Sequence, residues 1–151
     1  MGVFQLVIKR YLYLTGAIFI TAFIFSNSAL PASESSAMSR GLLSVINSIL
    51  PFEISHHFIR KLAHFSEFFL QGFFFVQFLR SSRIPFKKSA ILTAAVGLLT
   101  ACCDEFLQNF SEGRAPRISD IFIDFSGTLT ALFTIWLIFY FINGKKSTNS
   151  K

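Results

Sequence analysis

Residues 11–30, 58–79, 89–109 and 119–142 each form a near-continuous apolar run. A run of about 20 such residues is what a helix needs to cross the hydrocarbon core of a bilayer. Four of them in one short chain leave little freedom. Backbone polar groups in lipid must be satisfied within the segment that carries them, so each run is expected to be a helix packed beside the others. Composition points the same way. Of 151 residues 52% are hydrophobic, 21 are Phe and only 15% are charged, which would leave a water-soluble globule short of polar surface. The expected fold is all-α: a single domain over residues 1–151, built as a four-transmembrane-helix bundle with a short interfacial helix between spans 1 and 2.

The connections carry their own signals. Lys9 and Arg10 followed by an apolar stretch imitate a secretory leader, but the full run matches a bilayer and is expected to be retained as the first span. Pro31 ends it. The stretch ASESSAMS reads as a loop, after which Leu42, Leu43, Val45, Ile46, Ile49 and Leu50 recur at helical spacing opposite Ser44, Asn47 and Ser48. This is the pattern of a helix lying in a membrane interface. Pro51 stops it, and Ser55 can cap the next helix from about His56. His56 and His57 are expected at the interface, exposed. Cys102 and Cys103 are helical neighbours whose side chains diverge by about 100°, so they cannot bridge each other and read as two small buried residues.

Four spans place both termini on one side of the membrane. That side carries nine basic residues, at the termini and in the 80–88 turn, and no acid. The other carries Arg40, Arg60, Lys61, Arg114 and Arg117 together with all eight acids. By the positive-inside rule the termini are expected in the cytoplasm, in a cell inner membrane crossed several times. The net charge of +6 is therefore spent beside apolar spans, where it suits membrane lipids with anionic head groups rather than nucleic acid.

The polar residues within the spans cluster at the ends away from the termini. Arg60, His64, Glu67 and Gln71 follow i, i+4, i+7, i+11, one stripe of a helix. Asp104 and Gln108 share a face one turn apart, as do Asp120 and Asp124, and all these positions fall within about 10 Å of one another in depth. Ionisable groups inside a membrane turn inward and mark sites more often than ordinary packing does. Gly72, Ala94, Ala95, Gly97, Gly127 and Thr128 would let the helices approach closely.

Several chemical readings fit the cluster. A carboxylate such as Asp104 or Glu105 could work with His64 as an acid/base couple while Arg114 holds an anion. His64, Glu67 and the aspartates could instead ligate a divalent cation, Mg²⁺ or Ca²⁺ ahead of Zn²⁺, although spacing alone assigns no metal ligands and no cofactor. The cluster could also simply bind a lipid or glycan head group. Against all three stands a structural network in which His64 or Lys61 neutralises a carboxylate and Arg114 clamps Asp104 or Asp120. Ser66, Ser111 and Ser119 lack the surroundings of a nucleophile, and no polar path continues to the terminal side, as a transporter would need.

Lys61-x-x-His64-Phe65-x-Glu67-Phe68, then Asp104-Glu105-x-x-Gln108-x-Phe110, Gly113-Arg114, and Asp120 followed by Gly127 resemble the motifs of the VanZ-like membrane proteins. The likeness covers about 61–127, with Asp124 where that family often has Asn and Ala131 where it often has a second Gly. It implies a small bacterial membrane protein of four spans, and the family's namesake is associated with resistance to the glycopeptide teicoplanin. Catalytic candidates are His64, Glu67, Asp104, Glu105 and Asp120; substrate-binding candidates are Lys61, Gln108, Arg114 and Asp124. The expected role is binding or processing of an envelope lipid or cell-wall precursor head group, with a lipid-linked or glycopeptide ligand. A structural or regulatory subunit and a metal-dependent membrane enzyme are the alternatives.

Overall fold

The structure is a computed structural model and describes residues 3–49 and 54–148, apart from the side chains of Val3, Met38, Leu42, Ile46 and Ile49 and those beyond Ile142. Five helices follow one another: α1 (Val3–Ala29), α2 (Ala32–Ile49), α3 (His56–Ser81), α4 (Phe86–Gln108) and α5 (Ile118–Thr148), with no strand among the described residues. Four are long and apolar enough to cross a membrane: Phe4–Ala29, His56–Ser81, Phe86–Gln108 and Ile118–Ile142. The chain is thus a multi-pass membrane protein of the expected architecture, and the start of α1 and the later part of α5 lie at the same end of the bundle, Arg10 beside Phe78 and Phe139 beside Arg80.

Two boundaries differ from expectation. The first span begins at Phe4 rather than at 11, so Lys9 and Arg10 lie within α1. Both are exposed, and the Arg10 guanidinium lies over the Phe78 ring at 5.7 Å, which lets a charged head leave an apolar helix at little cost. The stretch ASESSAMS is helical, not a loop. The Pro31 carbonyl accepts the Ser35 N–H at 3.1 Å and Glu34 sits in the first turn, where a negative charge opposes the helix dipole. Ala32, Ser35, Ser36 and Ser39 form its half-buried face, so α2 turns serines toward the bundle. Asn47, expected among the outward polar residues, is also half-buried and accepts the Ile54 N–H at 3.1 Å. Of the apolar residues expected to seat this helix, the side chains of Leu42, Ile46 and Ile49 and the whole of Leu50 lie outside the described residues.

Ser55 caps α3 as its position suggests, its Oγ accepting the Phe58 N–H at 3.2 Å. At the other end the chain reverses through Arg83, held at φ 63, a left-handed conformation that places its N–H 2.9 Å from the Arg80 carbonyl. His56 is half-buried instead of exposed, because its ring meets the Ser36 carbonyl at 3.2 Å; His57 is exposed. Cys102 is exposed and Cys103 half-buried, both free, so they are not the buried pair expected.

The helix α3 is the centre of the bundle and packs against all four others, while α1 and α5 each also pack on α4. One core joins Ile24, Phe68 and Ala101 near the site, and another joins Val76, Leu132 and Ile135 nearer the termini. The contact between α3 and α5 is close enough that a Cβ on Gly127 would fall onto the Phe65 carbonyl oxygen and within 3.0 Å of the Phe69 nitrogen. Thr128 then fills the space between Gly72 and Gly97; Ala95 faces outward and takes no part. The outward faces are mainly apolar. Trp136 belongs to one of them, stacked between Phe133 and Tyr140 at ring separations of 5.7 and 5.8 Å. The hydroxyls of Thr15, Ser26, Ser66, Thr130 and Thr134, which also face outward, donate to carbonyls one turn back, so none asks for water in an apolar surrounding.

Candidate functional site

Helical phase brings the polar stripes of α3, α4 and α5 together at the end of the bundle away from the termini. Asp104 and Asp124 are both 0% exposed and approach His64 from two different helices, α4 and α5. The His64 Nδ1 atom is 3.8 Å from Asp104 Oδ2 and 3.7 Å from Asp124 Oδ1. Asp104 is held firmly: Ser28 Oγ donates to its Oδ1, and Gln108 Nε2 donates to its Oδ2 at 3.0 Å. Asp124 is not, since neither of its carboxylate oxygens has a hydrogen bond. One donor atom from each of His64, Asp104 and Asp124 lies within 4.8 Å of the others, which makes them the residues able to hold a metal ion among those described.

Beside this trio lies a chamber of about 250 Å³ between α1, α2 and α3, under the α4–α5 loop. Its apolar wall is Phe23, Leu30 and Ile59, and its polar wall is Asn27, Arg60, His64, Glu67 and Arg114, with Ser35 and Ser39 of α2 along one edge. Asn27 Nδ2 donates to Glu67 Oε1 at 2.9 Å, leaving the buried Oε2 without a partner. Arg114 reaches in from the loop and donates from Nη2 to the Asn27 carbonyl at 2.7 Å, while Ser111 Oγ donates to the Ser28 carbonyl at 2.6 Å. These two carbonyls are in the last turn of α1, where the helix ladder runs out; the Asn27 carbonyl keeps only the Leu30 N–H at 3.3 Å, and the loop completes the cap. The Arg114 Nε atom is buried and has no partner. Burial lowers the Arg114 pKa from its usual value and nearby Arg60 adds to this, while Asp104, Glu105 and Glu67 oppose it; a guanidinium remains charged throughout.

Not every predicted residue meets here. Lys61 and Asp120 pair at the rim, Nζ to Oδ1 at 3.5 Å, and with Asp124, Ile123, Arg60 and His64 line a second small cavity of about 10 Å³. Glu105 faces elsewhere. Its Oε2 accepts the Arg117 N–H at 2.7 Å and its Oε1 accepts from Gln108 at 3.3 Å, so it anchors the loop and borders a separate surface groove beside Cys102 and Phe106. Gln71 is one turn deeper than Glu67 and bonds Thr21 and Thr100 at 2.9 and 3.0 Å, joining α1, α3 and α4. The remainder of the α3 stripe converges as its spacing predicts. The sequence reading passed over Asn27, Ser28, Ser35, Ser39 and Ser111. The polar triplet Ser26-Asn27-Ser28 near the end of an apolar span was the available signal, at the same depth as Asp104.

A family model for VanZ/LLP1 proteins matches residues 12–140. Searches of curated proteins and of solved structures gave no significant match.

Proposed function

The chain belongs to the VanZ/LLP1 family, and from that premise we propose that its chamber binds the anionic head group of an envelope lipid or lipid-linked cell-wall precursor. The observation that carries this reading is the half-buried Arg114, fixed by one hydrogen bond and with its buried Nε unpartnered against a chamber whose other wall is apolar. A planar cation with a free donor suits a phosphate or carboxylate oxygen. The wall of Phe23, Leu30 and Ile59 suits the first methylenes of an acyl or polyprenyl chain. Arg60 lines the same space and Lys61 stands at the rim.

The distribution of charge supports an outward-facing chamber in a bacterial inner membrane. With both termini in the cytoplasm, the nine basic residues of the terminal side obey the positive-inside rule and the site opens on the opposite face. A ligand of this class at that face would connect the chain to the teicoplanin resistance associated with the family's namesake, since a glycopeptide acts on cell-wall precursors.

The test is lipid mass spectrometry of what copurifies with the full chain and with Arg114→Gln. Glutamine loses the charge and keeps a polar amide, and the Ser111 Oγ bond to the Ser28 carbonyl still caps α1. An anionic lipid or lipid-linked species present with the wild type and depleted at least about tenfold in the variant is the expected result. An identical lipid profile in both removes Arg114, and with it this reading.

A further inference from the structure

We infer that His64, Asp104 and Asp124 form a binding site for one divalent transition-metal cation of the Mn²⁺ or Zn²⁺ type. The inference deepens the head-group reading. It rests on that reading for the ion's partner, an anionic ligand oxygen, and on the cluster alone for the ion itself.

Two carboxylates 0% exposed and facing one imidazole are too costly to leave uncompensated in an apolar bundle. Of the nearby basic residues, Lys61 pairs with Asp120, Arg114 caps α1 through Nη2, and Arg60 lines the cavity beside His64 and Asp124 without an ion pair to either acid. Among the described residues, neither Asp104 nor Asp124 is ion-paired with a lysine or an arginine. A +2 ion would neutralise both acids at once.

Geometry agrees. His64 Nδ1 is 3.8 and 3.7 Å from the two carboxylates, and one donor atom of each of the three residues lies within 4.8 Å of the others, a compact triangle of donors. A point equidistant from its corners lies roughly 2.0–2.4 Å from each, the length of a metal–nitrogen or metal–oxygen bond. The independent pointer is Asp124: buried, without a hydrogen bond on either oxygen, and with its Oδ1 directed into the cluster 3.7 Å from His64 Nδ1. Asp104, in contrast, is held by Ser28 and Gln108, as the supporting partners of a ligating carboxylate usually hold it. One imidazole nitrogen with two carboxylates suits Mn²⁺ or Zn²⁺ better than Mg²⁺ or Ca²⁺, which prefer all-oxygen surroundings. Coordination positions also remain free. His64 and Asp124 border the cavity of about 10 Å³, the room of a single water. His64 also borders the chamber beside Arg114, where a head-group oxygen could reach the ion.

The experiment uses the full chain in detergent, stripped with a chelator and titrated with MnCl₂ and, separately, ZnCl₂. Bound metal is read by elemental analysis after gel filtration, and Mn²⁺ also by electron paramagnetic resonance. The expected result is one saturable ion per chain, with affinity reduced at least about tenfold in Asp124→Asn and unchanged in Glu34→Gln, on the exposed face of α2. Should Asp124→Asn fail to fold, the wild-type titration decides alone. Absence of a saturable site for both ions overturns the proposal, as does equal binding by a folded Asp124→Asn, and the cluster then holds protons instead. The two readings separate on the same samples. Metal bound normally with a lipid profile that ignores Arg114→Gln sinks the head-group reading only, whereas a lipid lost in Arg114→Gln without saturable metal sinks the cation site only.

Discussion

Gly127→Ala should open the site from a distance, by prising α5 off α3. A methyl group there collides with the Phe65 carbonyl oxygen and comes within 3.0 Å of the Phe69 nitrogen and 3.2 Å of the Phe65 carbonyl carbon. All three are backbone atoms, so no rotamer change relieves the contact. The helices must separate, by about 1 Å, and overpacking of this kind costs up to about 3 kcal/mol. Alanine returns about 1 kcal/mol through its better helix propensity, which leaves a net loss of about 2 kcal/mol. For a chain of this size that is a fall in Tm of roughly 4–8 °C. Gly72→Ala provides the comparison. Its methyl would meet Thr128 Cα and Cγ2 at 3.3 Å, a squeeze rather than a collision, so the propensity gain should nearly cancel the cost. Thermal unfolding in detergent, followed by helical circular dichroism, compares the two. Because Asp124 is one turn before Gly127 and His64 is next to Phe65, the same separation should widen the His64–Asp124 gap beyond 3.7 Å and weaken any bound ion or ligand. A Gly127→Ala protein as stable as the wild type, or as mildly affected as Gly72→Ala, would refute the reasoning.

Ser28→Ala removes a buried hydrogen bond to the Asp104 carboxylate and should cost about 1.5–3 kcal/mol, while Ser26→Ala, which loses only an exposed bond to its own helix, should fall within about 0.5 kcal/mol of the wild type; paired thermal unfolding curves check both. Lys61→Ala breaks an ion pair whose partners are 30% and 22% exposed, so its stability change should stay below about 1 kcal/mol and shrink further at high salt. Orientation is open to a labelling test in a chain with Cys102 and Cys103 replaced by serine: an impermeant thiol reagent should reach Glu112→Cys in intact spheroplasts and Lys88→Cys only after permeabilisation, and the reverse pattern would invert the proposed topology.

Most of the architecture is legible in the chain because lipid punishes ambiguity. Apolar length locates the four spans, and a period of 3.6 selects the faces on which His64, Glu67, Asp104 and Asp124 meet. That same period also distinguishes Glu105 from Asp104. Adjacent residues on a helix point about 100° apart, so both cannot enter one chamber, and Glu105 turns to the loop. The helix α2 was harder to read. Its first two turns are rich in serine, weak helix formers without context, and what favours the helix is a tertiary contact, the Ala32 N–H to the Glu112 carbonyl at 3.0 Å, together with the first-turn Glu34. Asn27 and Ser28 were obscured for the opposite reason, since one short polar triplet in a long apolar run reads as a frayed end until Asp104 and Glu67 are placed beside it.

The cap on α1 also bears on the order in which the protein is made. The carbonyls of Asn27 and Ser28 are bonded by Arg114 and Ser111, 87 and 83 residues later in the chain. When the first helix enters the membrane, the groups that will close its end have not yet been synthesised. Its last turn must wait, incompletely capped, while two further spans are threaded, and the Ala32–Glu112 bond that steadies α2 waits with it. The site is therefore a late product of biogenesis: it exists only once the final hairpin has inserted and docked, so a nascent chain halted after α3 would present an empty scaffold to the envelope rather than a partly working one.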